Sequence, residues 1–343
     1  MKTQSALRIA AVAVAAVVTA GTATAASGAE QTAGTDLGVL PGGNNSLAFD
    51  VNNGGLVVGY SNNSEGSNRA VLWDKQGNAD AFGTLPGDTD SVAYTVNDKG
   101  TALVGRSYVP NGAQRPVKWN RTGTITELPA PAGSTIARAY AVNDAGTVVG
   151  FATGSDGLYK AVRWSADNKL SLLPPLPGDQ ASGAAWITNT GTTAGYSKDA
   201  QGGSRAVLWN RAGDVTALNA PKGHTGAQAI SASDTGITVG NSVTGETSHA
   251  LRWSRSGKVT ELAPLPGDAS AQAFGVNDSG TAIGFSVAPD GQRKAVRWSA
   301  GGTPTHLTGG VGHAAVYGIN DFGSTAGFTS TTDGKNRSTL WED

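Results

Sequence analysis

The chain has 343 residues and a formal net charge of -1, a balance that argues against a nucleic-acid or anionic-membrane partner. It contains no cysteine, so disulfides and thiol chemistry are excluded and any core must close by packing alone. With 49 glycines and few long helical patterns, a chain of this length suits a repeat array of strands and tight turns better than one large core.

Residues 1–25 read as a secretory signal peptide. Lys2 and Arg8 precede an apolar run, and Ala23-Thr24-Ala25 supplies a small-x-small cleavage site. The run is shorter than the ~20 residues a membrane span needs. Its loss moves the net charge to about -3. Residues 26–34 (ASGAEQTAG) carry no apolar pattern and are expected to form a disordered leader. The segment TDLGVLPGG follows, with Leu37 and Leu40 spaced like Phe82 and Leu85 further on.

From there the chain repeats itself. RAVLW occurs at 69–73 and again at 205–209, with partial copies RPVKW, KAVRW, HALRW, KAVRW and RSTLW at 115, 160, 249, 294 and 337. The closing tryptophans are Trp73, Trp119, Trp164, Trp209, Trp253, Trp298 and Trp341, so seven of the eight tryptophans lie on one period of about 45.

One period predicts four short strands. In residues 91–128, SVAYTV alternates as a strand, NDKG closes it with a type I turn and a left-handed glycine, and TALVG forms the second strand. The glycine ending that strand returns in every copy, as close backbone approach or a bulge would require. A polar hairpin loop leads to the third strand, RPVKW, whose alternate residues Val117 and Trp119 point together into an interior. Four positions after each of the first six periodic Trp residues stands Gly, or Asn168 in the third copy, both tolerant of a positive φ, and a fourth strand follows. Seven such units predict an all-β fold, a seven-bladed β-propeller over residues 35–343. The seventh copy ends at Trp341 without a fourth strand, so the N-terminal segment is expected to supply it and close the ring.

The motifs LGVLPGG (37–43), AFGVNDSGTAIGF (273–285) and AVYGINDFGSTAGF (315–328) resemble those of the HAF-repeat family of probable extracellular repeat proteins, over about residues 35–343. The family's His-Ala-Phe triplet stands here as Arg-Ala-Val or Lys-Ala-Val, with only His249-Ala250-Leu251 close to it. The resemblance implies secretion and repetition and carries no reaction with it.

No catalytic constellation is legible. His224, His249, His306 and His313 form no metal-ligand spacing, and no nucleophile elbow or phosphate loop occurs, so neither metal nor cofactor is expected. The repeated Asn-Asp-x-Gly is read as turn geometry rather than calcium binding. The basic residue four before each Trp (Arg69, Arg115, Lys160, Arg205, His249, Lys294 or Arg337) is expected to pair locally with loop carboxylates. Departures from the repeat are the better candidates for ligand binding. Trp186 sits in a first strand where other copies have Asp50, Thr95, Ala141, Ser231, Gly275 or Gly318. The loop entering the first strand carries Asp88, Asp179 and Asp268 in three copies, and His224 and His313 in two. The expected function is a secreted, monomeric, non-catalytic binding or scaffolding module for an extracellular protein or glycan. The alternative is an extracellular polysaccharide hydrolase or lyase. It is weakened because such chemistry needs paired carboxylates and Glu127 and Glu261 fall on outer strands.

Overall fold

The computed structural model describes residues 33–110 and 112–342. The expected signal peptide and residues 26–32 of the expected leader lie outside them. Seven antiparallel sheets of four strands each form a seven-bladed β-propeller. Within the first six blades the strands run in sequence order outward from the centre, as in blade 2: Asp90–Val96, Ala102–Tyr108, Gln114–Asn120 and Ile125–Glu127. Turns between first and second strands open on one face of the ring. The hairpins between second and third strands open on the other, together with the loops entering each first strand.

Every first strand carries a β-bulge, and each bulge sits opposite the glycine that ends its partner's core segment. In blade 1 the register slips between Ala48 and Asp50, leaving Phe49 as the extra residue. The Leu47 carbonyl then lies so close to Gly59 that a Cβ there would stand 1.9 Å from it. The same contact recurs at Gly105, Gly150, Gly240 and Gly284. A bulge breaks two-residue alternation and re-aims one side chain. Here it turns the extra residue into the central channel. Phe274, Tyr317, Phe49, Tyr94 and Tyr140 form an unbroken arc of rings, with centroids 5.1–5.8 Å apart. Blades 4 and 5 place Ala185 and Ile230 there instead.

The seven periodic tryptophans are fully buried. Six of them also tie blade to blade. Trp119 Nε1 donates to the Gly83 carbonyl at 3.1 Å, at the outer edge of the preceding blade. Trp164, Trp209, Trp253, Trp298 and Trp341 do the same to Pro129, Pro174, Asn219, Ala263 and Thr308. Trp73 is the exception: its indole N–H is buried without a partner. The carbonyl of Gly38, which would match Gly83, accepts from Ser46 Oγ instead.

The N-terminal strand Thr35–Asp36 is the fourth strand of the seventh sheet, pairing with Leu340 and Thr339. Leu37 and Leu40 are buried against Trp73, Val57 and Leu340. Ala33 and Gly34, read from sequence as leader, are held at the joint with the preceding blade: Ala33 bridges Thr308 and Gly34 N–H donates to its carbonyl at 3.0 Å.

Candidate functional site

The ends of the seven first strands surround one mouth of the channel, which opens to solvent. Its rim is the four-residue turn after each first strand, Asn-Asp-x-Gly in four blades and Asn-Asn-Gly-Gly, Thr-Asn-Thr-Gly and Ser-Asp-Thr-Gly in blades 1, 4 and 5. Turn geometry explains these residues only in part, because they also bond the blades to one another. The main-chain N–H of Asn53 donates to Asp98 Oδ1, Lys99 to Asp144, Asp144 to Asn189 and Thr190 to Asp234. Asp234 then donates to Asp278, Asp278 to Asp321, and Asp321 to Asn53. This belt runs once around all seven blades. A second course lies beneath it. The buried Asn52, Asn143, Asn277 and Asn320 each donate Nδ2 to a carbonyl of the next blade, Asn320 to that of Asn52. Their Oδ1 atoms accept an N–H within their own turn, as Asn52 does from Leu56 at 2.8 Å.

Five carboxylates therefore crowd one rim: Asp98, Asp144, Asp234, Asp278 and Asp321. Burial pushes Asp98 above the ordinary carboxylate range and its neighbours Asp144 and Asp321 add to this, while the Asn53 N–H opposes it. Burial, then Asp321 and Asp234, does the same to Asp278. Deeper in the mouth, burial lifts Asp50 to about 7 against the hydrogen bonds it accepts from Val96 and Val51. The mouth is acidic and lined with acceptors. Phe322, in the turn of blade 7, is 73% exposed beside it.

Trp186 lines this mouth half-buried, and it also packs against the hydrophobic clusters on both sides of blade 4. Strict two-residue alternation along the first strand would put the position of Trp186, mostly small in the other copies, in the central channel. The bulge corrects that, since the residue before it takes the channel and Trp186 sits between the blades, where blades 4 and 5 lack channel aromatics.

The other sequence candidates do not join it. Asp88, Asp179, Asp268 and His224 precede the first strands and so lie on the opposite face from the belt. Three of them belong to a repeated local motif. Asp88 Oδ2 accepts from Ser107 Oγ at 2.7 Å and pairs with Arg115 at 2.9 Å, the carboxylate being 7% exposed. Asp179 repeats this with Ser197 and Arg205, and Asp268 pairs with Lys294 at 2.7 Å. The periodic basic residues thus have local partners: Lys160 meets Asp156, while Arg69 and Arg337 donate to the carbonyls of Thr89 and Asn44. His224 takes the place of the loop Asp, its Nδ1 lying 2.8 Å from Ser242 Oγ. His313 occupies a different position, that of Asp90, since each accepts the N–H opening the preceding blade's third strand. The His residues sit two blades apart and make no common site.

No protein-family model matches the chain, and no curated protein matches it in sequence. Among solved structures it is similar to a streptogramin B lyase, at 16% identity and a TM-score of 0.56, over 90% of this chain and 96% of that one. It is similar to the BP39L lectin of Burkholderia pseudomallei at 15% identity and 0.54, over 86% and 94%. It also resembles an oligogalacturonate lyase in complex with manganese, at 11% identity and 0.58, over 86% and 90%. At these identities the likeness is one of fold.

Proposed function

We propose that the protein is a secreted, non-catalytic binding module whose ligand is a glycan seated on the belt-lined mouth. The observation that carries this reading is the coincidence of a break in the repeat, Trp186, with a rim of acceptor oxygens. Sugar hydroxyls donate to carboxylates, and the solvent-facing part of the half-buried Trp186 offers an apolar contact to a pyranose. The aromatic arc lines the channel below on five of the seven blades, which favours a ligand seated on the mouth over one threaded through it. The rim's negative charge favours a neutral or amino-bearing glycan over a uronate polymer. That disfavours lyase chemistry on acidic polysaccharide, one form of the hydrolase-or-lyase alternative. The lectin among the fold neighbours is consistent with this reading at the level of scaffold. The repeat pattern supports grouping the chain with the HAF-repeat extracellular proteins, and Lys2, Arg8 and Ala23-Thr24-Ala25 support export.

A glycan array with the purified protein, paired with a polysaccharide-hydrolysis screen, tests the proposal. Binding to a neutral or amino-sugar glycan is expected, weakened at least tenfold by Trp186→Ala and largely kept by Trp186→Phe. Unchanged binding by Trp186→Ala, or product release from any polysaccharide, overturns it.

A further inference from the structure

Blade 5 departs from the other blades twice at one place, and the two departures meet. Where blades 2 and 4 hold a loop Asp against a third-strand Arg, blade 5 holds His224 against His249. Their ring centroids are 4.6 Å apart at 47°. Glu261, on the fourth strand, comes from the third side, its Oε1 lying 2.5 Å from His249 Nδ1. The three side chains each offer one ligand atom, and these atoms all lie within 4.8 Å of one another.

We infer that His224, His249 and Glu261 form a binding site for a divalent transition cation of the zinc type. The donor set supports this first. Two imidazoles and a carboxylate suit zinc, nickel or copper and leave a further coordination position open. The second support is independent of spacing. His249 Nε2 is buried without a hydrogen-bond partner, a ring nitrogen left for a ligand to satisfy. The orienting contacts are a third. Ser242 Oγ holds His224 by Nδ1, leaving Nε2 free to ligate, as outer contacts do for metal-bound imidazoles. Tetrahedral zinc with bonds of ~2.0–2.1 Å places ligand atoms about 3.3 Å apart, so a contraction of roughly 1.5 Å at the widest pair completes the site. That is within side-chain rotation for a half-exposed Glu261. In blades 2, 4 and 6, Arg115, Arg205 and Lys294 occupy the equivalent place with a fixed cation and would repel a metal. The site lies on the face opposite the belt, so it is separate from the proposed glycan mouth.

The test uses zinc chloride and the purified protein, with the double variant His224→Asp/His249→Arg as comparison. That variant rebuilds the Asp–Ser–Arg set of blades 2 and 4, so it is expected to fold, and it retains His306 and His313 as controls for stray imidazole binding. By calorimetry, the natural sequence should bind one equivalent of zinc at least tenfold more tightly than the double variant. Zinc should raise its thermal midpoint and leave that of the double variant unmoved. Cobalt(II) should give a visible tetrahedral spectrum that Glu261→Gln weakens. Equal zinc affinity in the two proteins, or a cobalt spectrum unchanged in the double variant, overturns the assignment.

Discussion

Asn53 and Asp321, 268 residues apart, hold each other by two hydrogen bonds across the joint between the first and last blades: Asp321 N–H donates to Asn53 Oδ1, and Asn53 Nδ2 donates to Asp321 Oδ2, both at 2.9 Å. Removing both with Asn53→Ala should cost about 1–2 kcal/mol, since each bond contributes ~0.5–1.5. Asn53→Asp keeps the acceptor, loses the donor and sets two carboxylates face to face. Its deficit should therefore grow between pH 4 and pH 7, as thermal melts at the two values would show.

Asp50 predicts a pH dependence of opposite origin. Its carboxyl stays protonated up to about 7 in the folded protein, whereas the unfolded chain releases that proton near 3.8. Between those values the unfolded state binds fewer protons, so stability falls as pH rises through the window. At about 1.36 kcal/mol per unit the full loss is roughly 4 kcal/mol, complete above pH 7. Asp50→Asn should flatten this slope and be more stable than the natural sequence at pH 8. Urea midpoints at pH 5 and pH 8 measure it, and parallel slopes in the two proteins would refute the effect.

The tryptophans divide into two kinds. Trp209→Ala should cost about 3–5 kcal/mol, the figure for truncating a fully buried aromatic. Replacement by Phe separates packing from hydrogen bonding. Trp209→Phe abandons the buried Pro174 carbonyl, whereas Trp73→Phe removes an N–H that has no partner. Trp73→Phe should therefore be the milder change by about 1 kcal/mol in chemical unfolding.

Truncation tests the N-terminal strand. Deleting through residue 32 should be nearly silent. Deleting through Gly42 removes Thr35–Asp36, Leu37 and Leu40, bares the edge of the Asn336–Trp341 strand and exposes Trp73. A lower thermal midpoint and aggregation are expected of the longer deletion. Equal melts for both would mean the strand contributes nothing.

Glycine, tryptophan and turn spacing made the blade readable, because each answers to one local demand. Asn168, at φ 62°, is the sole non-glycine with positive φ among the described residues, and it stands where the repeat asks for glycine. The bulge was not readable, since Phe49 or Tyr94 looks like an ordinary member of an alternating strand. That hid both the aromatic arc and the true place of Trp186. The belt was half readable: Asn-Asp-x-Gly declares a turn, but its bonds run to a blade some 45 residues away. The meeting of His224 with His249 depends on pairing between a loop and a third strand. Its one sequence signal was that both departures fall in the same copy, at positions that other copies fill with Asp and Arg.

The belt also dictates where the molecule can be enlarged. Its turns, such as Asn52 to Gly55 and Asn320 to Gly323, span four residues in every blade, because one more would pull a carboxylate out of its neighbour's reach. The hairpins on the other side form no such continuous belt; their cross-blade bonds are scattered, as from Gln292 Nε2 to the Gly312 carbonyl. Between strands Val57–Asn62 and Asn68–Trp73 there are five residues, and between Thr238–Thr244 and Thr247–Trp253 only two. Foreign peptides grafted into those hairpins would be displayed from a frame whose opposite side keeps a fixed circumference, with as many as seven insertion points of independently adjustable length.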